Sequence, residues 1–217
     1  MFDVDYAIAV LPALLRGMVV TLYYTILGMS LAVVIGMLLA LGRRSKAKYI
    51  SMPTGWFVEF IRSTPFLVQL YFVFFVLPAS GIRLTPFVAG VIGLGVHYSA
   101  YTSEVYRAGI EAVPRHQWEA AVALGLSKLR TWTSIILPQA IPPMVPVLGN
   151  YLIAMFKETP QLSAITVVEM LSVAKLEASH SFRYMEPFTM VGMLFLLLSF
   201  PSARVVRALE RRFGSVV

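Results

Sequence analysis

Six polar residues inside or beside long apolar stretches have the chemistry to hold a small charged solute. Lys157 and Glu158 are adjacent and opposite in charge, so together they offer both groups that a zwitterion requires. The rings of Tyr98 and Tyr101 can attract an ammonium or amidine group by cation–π contact. Gln69 lies within an apolar stretch, where its side-chain amide needs hydrogen-bond partners. The candidate solute-path residues are Gln69, Tyr98, Tyr101, Asn150, Lys157 and Glu158.

Each of these side chains also has a structural interpretation. Lys157 and Glu158 can neutralise each other at the outer headgroup level, and tyrosines are common in the aromatic belt at a membrane interface. Gln69 can bond to a neighbouring helix instead of to solute. The sequence alone leaves these alternatives open.

Two further charge pairs have the spacing of salt bridges within a helix. Glu59 and Arg62 are three residues apart, as are Glu104 and Arg107, so each pair can meet on one helix face. Buried charges in a bilayer are costly and often bind ligands. We favour the structural interpretation for both pairs and keep ligand binding as the alternative.

No residue pattern indicates catalysis, a metal site or a cofactor. The chain has no cysteine, and its three histidines, His97, His116 and His180, are scattered without metal-ligand spacing. It has neither a P-loop nor a G-x-S-x-G motif. We therefore expect no catalytic residue, no metal and no cofactor, and energy for any driven transport must come from another subunit.

An amphipathic segment at residues 119–138, EAAVALGLSKLRTWTSIILP, lies between apolar stretches. An anchor in the membrane interface would carry aromatic residues and leucine on one face, opposite lysines. Here the side chains are small instead: Ala120 and Ala121 precede Gly125. A glycine permits a sharp turn or close backbone approach. Glu119 adds a negative charge that a basic partner can pair. This segment is shaped to lie in the cleft of a cytosolic partner.

The composition places most of the chain in lipid. Hydrophobic residues make up 58% of 217 and charged residues 13%. The net charge of +7 would suggest nucleic acid for a soluble protein, but the basic residues lie beside apolar spans, so we expect a lipid bilayer and no nucleic acid. Five spans are predicted, at 17–42, about 56–77, about 86–106, 142–156 and about 187–209.

Small residues recur every four positions in the first span. Gly28, Ala32, Gly36 and Ala40 form a ridge that lets another helix approach closely. We interpret this ridge as a helix-packing surface.

The fourth span contains the most unusual backbone. Four prolines fall at 138–146, which predicts that no straight helix crosses this region and that the span begins at Pro142 or Pro143. We predict a break at 157–160, followed by a half-helix or re-entrant piece. Broken backbone at membrane depth is tolerated only beside protein or a water-filled cavity, where substrate sites are often found.

Charge outside the spans predicts the topology. Residues 43–48, RRSKAK, and the tail at 204–212 are basic, whereas the start carries Asp3 and Asp5. The positive-inside rule then places the N-terminus outside and the C-terminus and segment 119–138 in the cytoplasm; with the resemblance described below, the outside is the periplasm. No linker divides the chain, so we predict one transmembrane domain over 1–217.

Segment 119–138 resembles the coupling loop of permease subunits of ATP-binding-cassette (ABC) importers. The family's seven motif positions are met at the family spacing: Glu119, Ala120, Ala121, Gly125, Ile135, Leu137 and Pro138. Stretches 58–78, 101–125 and 148–165 are similar to corresponding regions of the polar amino acid permeases of the histidine, glutamine and arginine type. Most permeases of that type have Asp-Thr-Ser or Asn-Thr-Ser where this chain has Glu158-Thr159-Pro160. The stretch 158–171, ETPQLSAITVVEML, resembles permeases for ectoine and related compatible solutes.

The resemblance implies an all-α polytopic protein of the bacterial inner membrane, with about five transmembrane helices and a cytosolic coupling helix between spans three and four. It implies cytosolic ABC ATPase subunits, a second permease copy or paralogue and an extracytoplasmic solute-binding protein as partners. Within a coupling segment at 111–138, the expected ATPase contacts are Glu119, Ala120, Ala121, Gly125 and Leu126. The expected solute is a polar amino acid or a related zwitterion, with ectoine as one candidate. The alternative is a secondary transporter or channel subunit that needs no ATPase.

Overall fold

The computed structural model describes residues 2–213, and its α-helices are joined by short turns and by π- and 3₁₀-helical stretches. The nine α-helices of this part of the chain are α1 Val4–Arg43, α2 Lys48–Ser63, α3 Phe66–Tyr71, α4 Pro86–Glu111, α5 Arg115–Ala123, α6 Lys128–Thr131, α7 Leu137–Glu158, α8 Met170–Ser181 and α9 Met185–Phe213. The predicted all-α fold is confirmed.

Helices α1 and α4 pack along the ridge of small residues in α1. Gly28, Ala32, Gly36 and Ala40 are all buried. A side chain on Gly36 would collide with Thr102 of α4, and a Cβ on Gly28 would lie 2.9 Å from the Cβ of Leu94. The close approach lets the Thr102 hydroxyl donate a hydrogen bond to the Ala32 carbonyl over 2.9 Å. The interpretation of the ridge as a packing surface is therefore confirmed.

Three helical runs are long and apolar enough to cross a bilayer, namely Val4–Arg43, Lys128–Ile165 and Met185–Phe213, and a bent pair of helices raises the number to four. The 26-residue α4 is also long enough, but its second half is polar. The count of five spans stays a prediction. The first span was predicted too short, because α1 begins at Val4 and continues through Pro12 and Arg16.

The predicted second span at 56–77 is not one helix. It breaks between α2 and the run Phe66–Ser80, and the two pieces meet at 108°. Thr64 has an extended backbone, with φ −113° and ψ 139°. This conformation is the one that proline imposes on the residue before it, and Pro65 follows. The first predicted part of the span therefore lies at a steep angle to the rest.

The prediction that the fourth span begins at Pro142 or Pro143 is wrong. Helix continues from Lys128 to Glu158 through the prolines at 138, 142, 143 and 146. A π-helical stretch at Trp132–Ile136 precedes them, where the Leu137 amide bonds to the Trp132 carbonyl. The wider turn and neighbouring helices satisfy backbone groups that proline cannot, so the run stays helical.

The predicted break after the fourth span is present. Helix α7 ends at Glu158, a 3₁₀ stretch covers Thr159–Ile165, and Thr166 adopts a left-handed conformation with φ 68°. The following half-helix is α8. Its N-cap residue Glu169 is fully buried and accepts hydrogen bonds from the amides of Leu171 and Ser172 at 2.9 and 2.7 Å.

The N-terminus is tied to the turn between α8 and α9. The Arg183 guanidinium donates to the Asp3 carboxylate over 2.6 Å, and the Asp3 amide donates to Glu186 over 3.0 Å. The Arg183 hydrogen bond lowers the pKa of the Asp3 carboxyl from its ordinary value. Because this pKa is depressed on folding, the contact is present at neutral pH and is lost as the pH falls through it.

Candidate functional site

The coupling segment folds as two short helices around a glycine turn. Gly125 has a φ of +65°, a conformation that side-chain-bearing residues rarely adopt. The Leu126 amide bonds back to the Ala121 carbonyl over 3.0 Å and the Gly125 amide to Val122 over 2.9 Å, which ends α5. The Ser127 hydroxyl then caps the start of α6. Gly125 is therefore required by the backbone of the turn itself.

The two sides of α5 have different roles. Glu119, Ala120 and Gly125 are exposed and available to a partner, and Leu126 is half-buried. Ala121 is fully buried, so it anchors the segment and does not itself face a partner. Sequence reasoning missed three large, exposed apolar side chains: one in α5, one at its C-terminal end and one in α6. Val122, Leu124 and Leu129 are 77%, 75% and 75% exposed, and exposed apolar groups of this size mark interaction surfaces.

Helix α5 packs against the segments before and after it. The rings of Trp118 and Trp132 meet edge to face with centroids 5.2 Å apart. They pack on a buried cluster that includes Ile110, Val113 and Ile136. Helix α5 is therefore connected to α4 and to the α6–α7 run by close side-chain contacts.

A cluster of aromatic rings lies between the middle of α4 and α7. The ring centroids of Tyr98 and Tyr101 lie 6.1 Å apart, and those of Tyr101 and Tyr151 lie 5.7 Å apart. His97 lies 5.2 Å from Tyr101. Tyr98 is only 3% exposed, so it is not a belt residue. Tyr151 was not predicted, although it lies two helical turns before Glu158 on the same face of α7.

Glu158 lies at the edge of this tyrosine cluster (Tyr98, Tyr101 and Tyr151). Its carboxylate lies near the Tyr98 side chain. The Oε2 atom of Glu158 is buried and has no hydrogen-bond partner among residues 2–213. An unpaired carboxylate oxygen out of water is costly, which makes this atom a strong candidate to receive a cationic group.

Lys157 and Asn150 lie outside the cluster. Lys157 is exposed and makes no ion pair with Glu158 or with any other described carboxylate, because adjacent helical residues point about 100° apart. The predicted mutual pair is therefore not formed. Asn150 is also exposed, and its amide donates to Glu210 of α9 over 3.2 Å.

Gln69 holds the bend between α2 and α3. Its amide nitrogen donates to the carbonyls of Ile61 and Thr64 over 2.8 and 3.1 Å and to the Thr64 hydroxyl over 2.7 Å. Its oxygen lies 3.1 Å from Nδ1 of His97. These bonds match the structural interpretation of Gln69. They also connect the bend to the aromatic cluster through His97.

The two predicted charge pairs join into one network centred on Glu104. Glu104 forms ion pairs with Arg43 of α1, with Arg107 at 2.7 Å and with Arg62 at 3.8 Å. Arg62 also lies 3.9 Å from Glu59 and 5.7 Å from the centroid of Tyr101. The Glu104 network therefore connects α1, α2 and α4 next to the tyrosine cluster, and both predicted salt bridges are present.

The chain belongs to the family described as the binding-protein-dependent transport system inner membrane component, whose model matches residues 32–215. It is thus a permease subunit of an ATP-driven importer and a membrane transport component, and ATP hydrolysis resides in a separate subunit. This membership removes the alternative of a transporter that works without an ATPase.

Individual relatives match over almost the whole chain. The chain is 44% identical over 208 residues to a probable amino-acid ABC transporter permease protein of Sinorhizobium fredii, covering 96% of this chain and 90% of the relative. It is 32% identical to a probable amino-acid ABC transporter permease protein of Bacillus subtilis, covering 100% and 96%. A crystal structure of an amino acid ABC transporter with histidines matches with a TM-score of 0.91 and 33% identity, covering 98% and 99%.

Proposed function

We propose that the chain transports a polar amino acid or a related small zwitterion, such as ectoine, and that the solute's cationic group binds at Glu158. The observation that carries this proposal is the buried, unpartnered Oε2 atom of Glu158 beside Tyr98. A carboxylate and tyrosine rings together bind an ammonium or amidine group by a charge-assisted hydrogen bond and cation–π contacts. The names of the relatives, which are amino-acid permeases, support the solute class.

The carboxylate of a zwitterion needs a cation at a separate point. Arg62 is the candidate, because its guanidinium lies against Tyr101 and its two carboxylate contacts are long, at 3.8 and 3.9 Å. Lys157, the cation expected from the sequence, is exposed and lies outside the tyrosine cluster. Gln69 takes a supporting role in this arrangement through its bond to His97.

Transport assays of the reconstituted complex test the solute site. Glu158→Gln keeps the shape of the side chain but removes its charge, so solute KM should rise at least tenfold, because a charge-assisted hydrogen bond is lost. Glu177→Gln in α8 is the matched control and should leave uptake unchanged. A screen of labelled amino acids and ectoine would identify the solute. Unchanged KM in Glu158→Gln would contradict the proposal.

We infer that α5, the Gly125 turn and α6 form the ATPase contact within a single transmembrane domain, in a coupling segment at 111–138. The exposed Glu119, Ala120 and Gly125 and their apolar neighbours support this role. The segment then lies in the cytoplasm, with the N-terminus in the periplasm and the C-terminus inside. A second permease copy or paralogue and a solute-binding protein complete the importer, and nucleotide-driven closure biases two conformations.

A further inference from the structure

An apolar groove opens between the adjoining ends of α1, α4 and the α6–α7 run. It has a volume of about 530 Å³, and its walls include Met37, Leu41, Tyr106, Trp132, Ile141 and Leu148. The Tyr106 hydroxyl donates to the Val33 carbonyl over 3.4 Å, and the Thr133 hydroxyl, also in the wall, donates to Leu129 over 3.0 Å. The walls therefore offer an occupant apolar contact and no free hydroxyl.

The groove is open to the surroundings of the described chain. The wall residues Leu41, Ile141 and Leu129 are all exposed. An apolar surface of this depth is stabilised when lipid or another chain covers it.

Three cations lie next to wall residues at the end of the groove that includes Leu129 and Trp132. The Arg44 guanidinium lies 5.8 Å from the centroid of Trp132, a wall residue. Lys128 and Arg130 flank the wall residue Leu129 along the chain. All three cations are exposed, and none makes an ion pair with a carboxylate of residues 2–213. An apolar groove with cations at one end matches a ligand that has an apolar body and an anionic head.

We propose that this groove binds an acyl chain of an anionic phospholipid, with the headgroup phosphate at Arg44, Lys128 and Arg130. Basic sites between transmembrane helices bind anionic headgroups, while the acyl chain supplies the apolar contact. A second copy of this chain is a poorer occupant. A two-fold contact through the groove would bring the same three cations of both copies together. The proposal does not rest on the solute site. Because Lys128 and Arg130 lie in α6, which also belongs to the proposed ATPase contact, the lipid site is tested on the permease without the ATPase.

Lipid retention by the full chain tests this site. The purified protein is equilibrated in mixed micelles of phosphatidylglycerol and phosphatidylcholine, and retained lipids are counted by native mass spectrometry. We expect preferential retention of one phosphatidylglycerol. Each of Arg44→Gln, Lys128→Gln and Arg130→Gln should lower that preference about fivefold. Val145→Phe, which fills the groove and leaves every charge in place, should release the bound lipid.

A matched triple variant separates this site from general surface attraction. Arg204→Gln, Arg207→Gln and Arg211→Gln together remove the same charge from α9 and should leave the preference intact. The comparison is a variant that combines Arg44→Gln, Lys128→Gln and Arg130→Gln. Equal losses from these two triple variants, or equal retention of the two lipids by the unmodified chain, would overturn the proposal.

The chain lacks cysteine, so Ile141→Cys also tests the rival occupant. Efficient disulfide-linked dimers of this variant in bilayers would show that a second copy covers the groove, and this result would overturn the lipid assignment. Absence of dimers, together with selective phosphatidylglycerol retention, supports it.

Discussion

Two single positions, Glu158 and Gly125, carry the proposals for the solute site and the ATPase contact. At Glu158 the decisive atom is a buried carboxylate oxygen without a partner, and at Gly125 it is the absent Cβ of a residue with φ +65°. A cationic ligand would stabilise the unpartnered carboxylate oxygen of Glu158. The missing Cβ of Gly125 permits a turn that other residues make only with strain.

Gly125→Val should separate ATPase coupling from membrane insertion. A β-branched residue in this conformation costs about 1–2 kcal/mol or more, so the turn between α5 and α6 should rearrange. We expect ATPase co-purification and uptake to fall at least tenfold while the amount of inserted permease stays the same. Gly192→Val is the control, because a Cβ at Gly192 meets nothing within 4 Å and its φ is not positive. Normal co-purification in Gly125→Val would argue against the docking role.

At the scale of elements, the Glu104 network fastens α1 and α2 to α4. Its glutamate has a side chain only 19% exposed, so removing its charge leaves Arg43, Arg62 and Arg107 facing one another. Glu104→Gln should therefore lower the free energy of unfolding by about 1–3 kcal/mol. Thermal denaturation in detergent measures this loss.

Glu111→Gln is the matched control for Glu104→Gln. It removes a more exposed pair with Arg107, 51% exposed at the glutamate, and should cost no more than about 1 kcal/mol. Equal melting temperatures for the two variants would show that the Glu104 network does not hold the helices together.

The elements show where sequence reasoning succeeds. Uncharged length and the small-residue ridge predicted the first helix and its packing surface, because both depend on local spacing. The rule for residues before proline was available at Thr64, yet the bend there was missed because hydropathy continued across it. The prolines at 138–146 were given too much weight. A π-helical turn and surrounding helices compensate for their missing donors, and neither is visible in sequence.

The candidate site was predictable to a similar degree. Tyr98, Tyr101 and Glu158 do come together, but Lys157 and Asn150 point elsewhere, and Tyr151 was missed. The opposite charges of Lys157 and Glu158 made them candidates for one solute site. Neighbouring positions on a helix cannot face the same point, so only one of the two can lie at the tyrosine cluster. The ATPase contact at 119–138 was predicted from its motif and stays a prediction, whereas the burial of Ala121 depends on packing against other helices.

At the scale of the whole molecule, contact with a cytosolic ATPase requires one orientation of the permease in the membrane. The α5–turn–α6 unit must lie on the cytosolic side, where ATPases bind, while Arg83 in the turn before α4 lies on the opposite side. The basic stretches at 43–48 and 204–212 agree with this arrangement under the positive-inside rule.

Because the chain has no cysteine, single cysteines can report this orientation without background. The decisive measurement is labelling of Ala120→Cys by a membrane-impermeant maleimide, with Arg83→Cys as the reference for the other side. We expect Ala120→Cys to react in inverted vesicles but not in intact spheroplasts, and Arg83→Cys to show the reverse pattern. Labelling of Ala120→Cys in intact spheroplasts would contradict a cytosolic ATPase contact at α5.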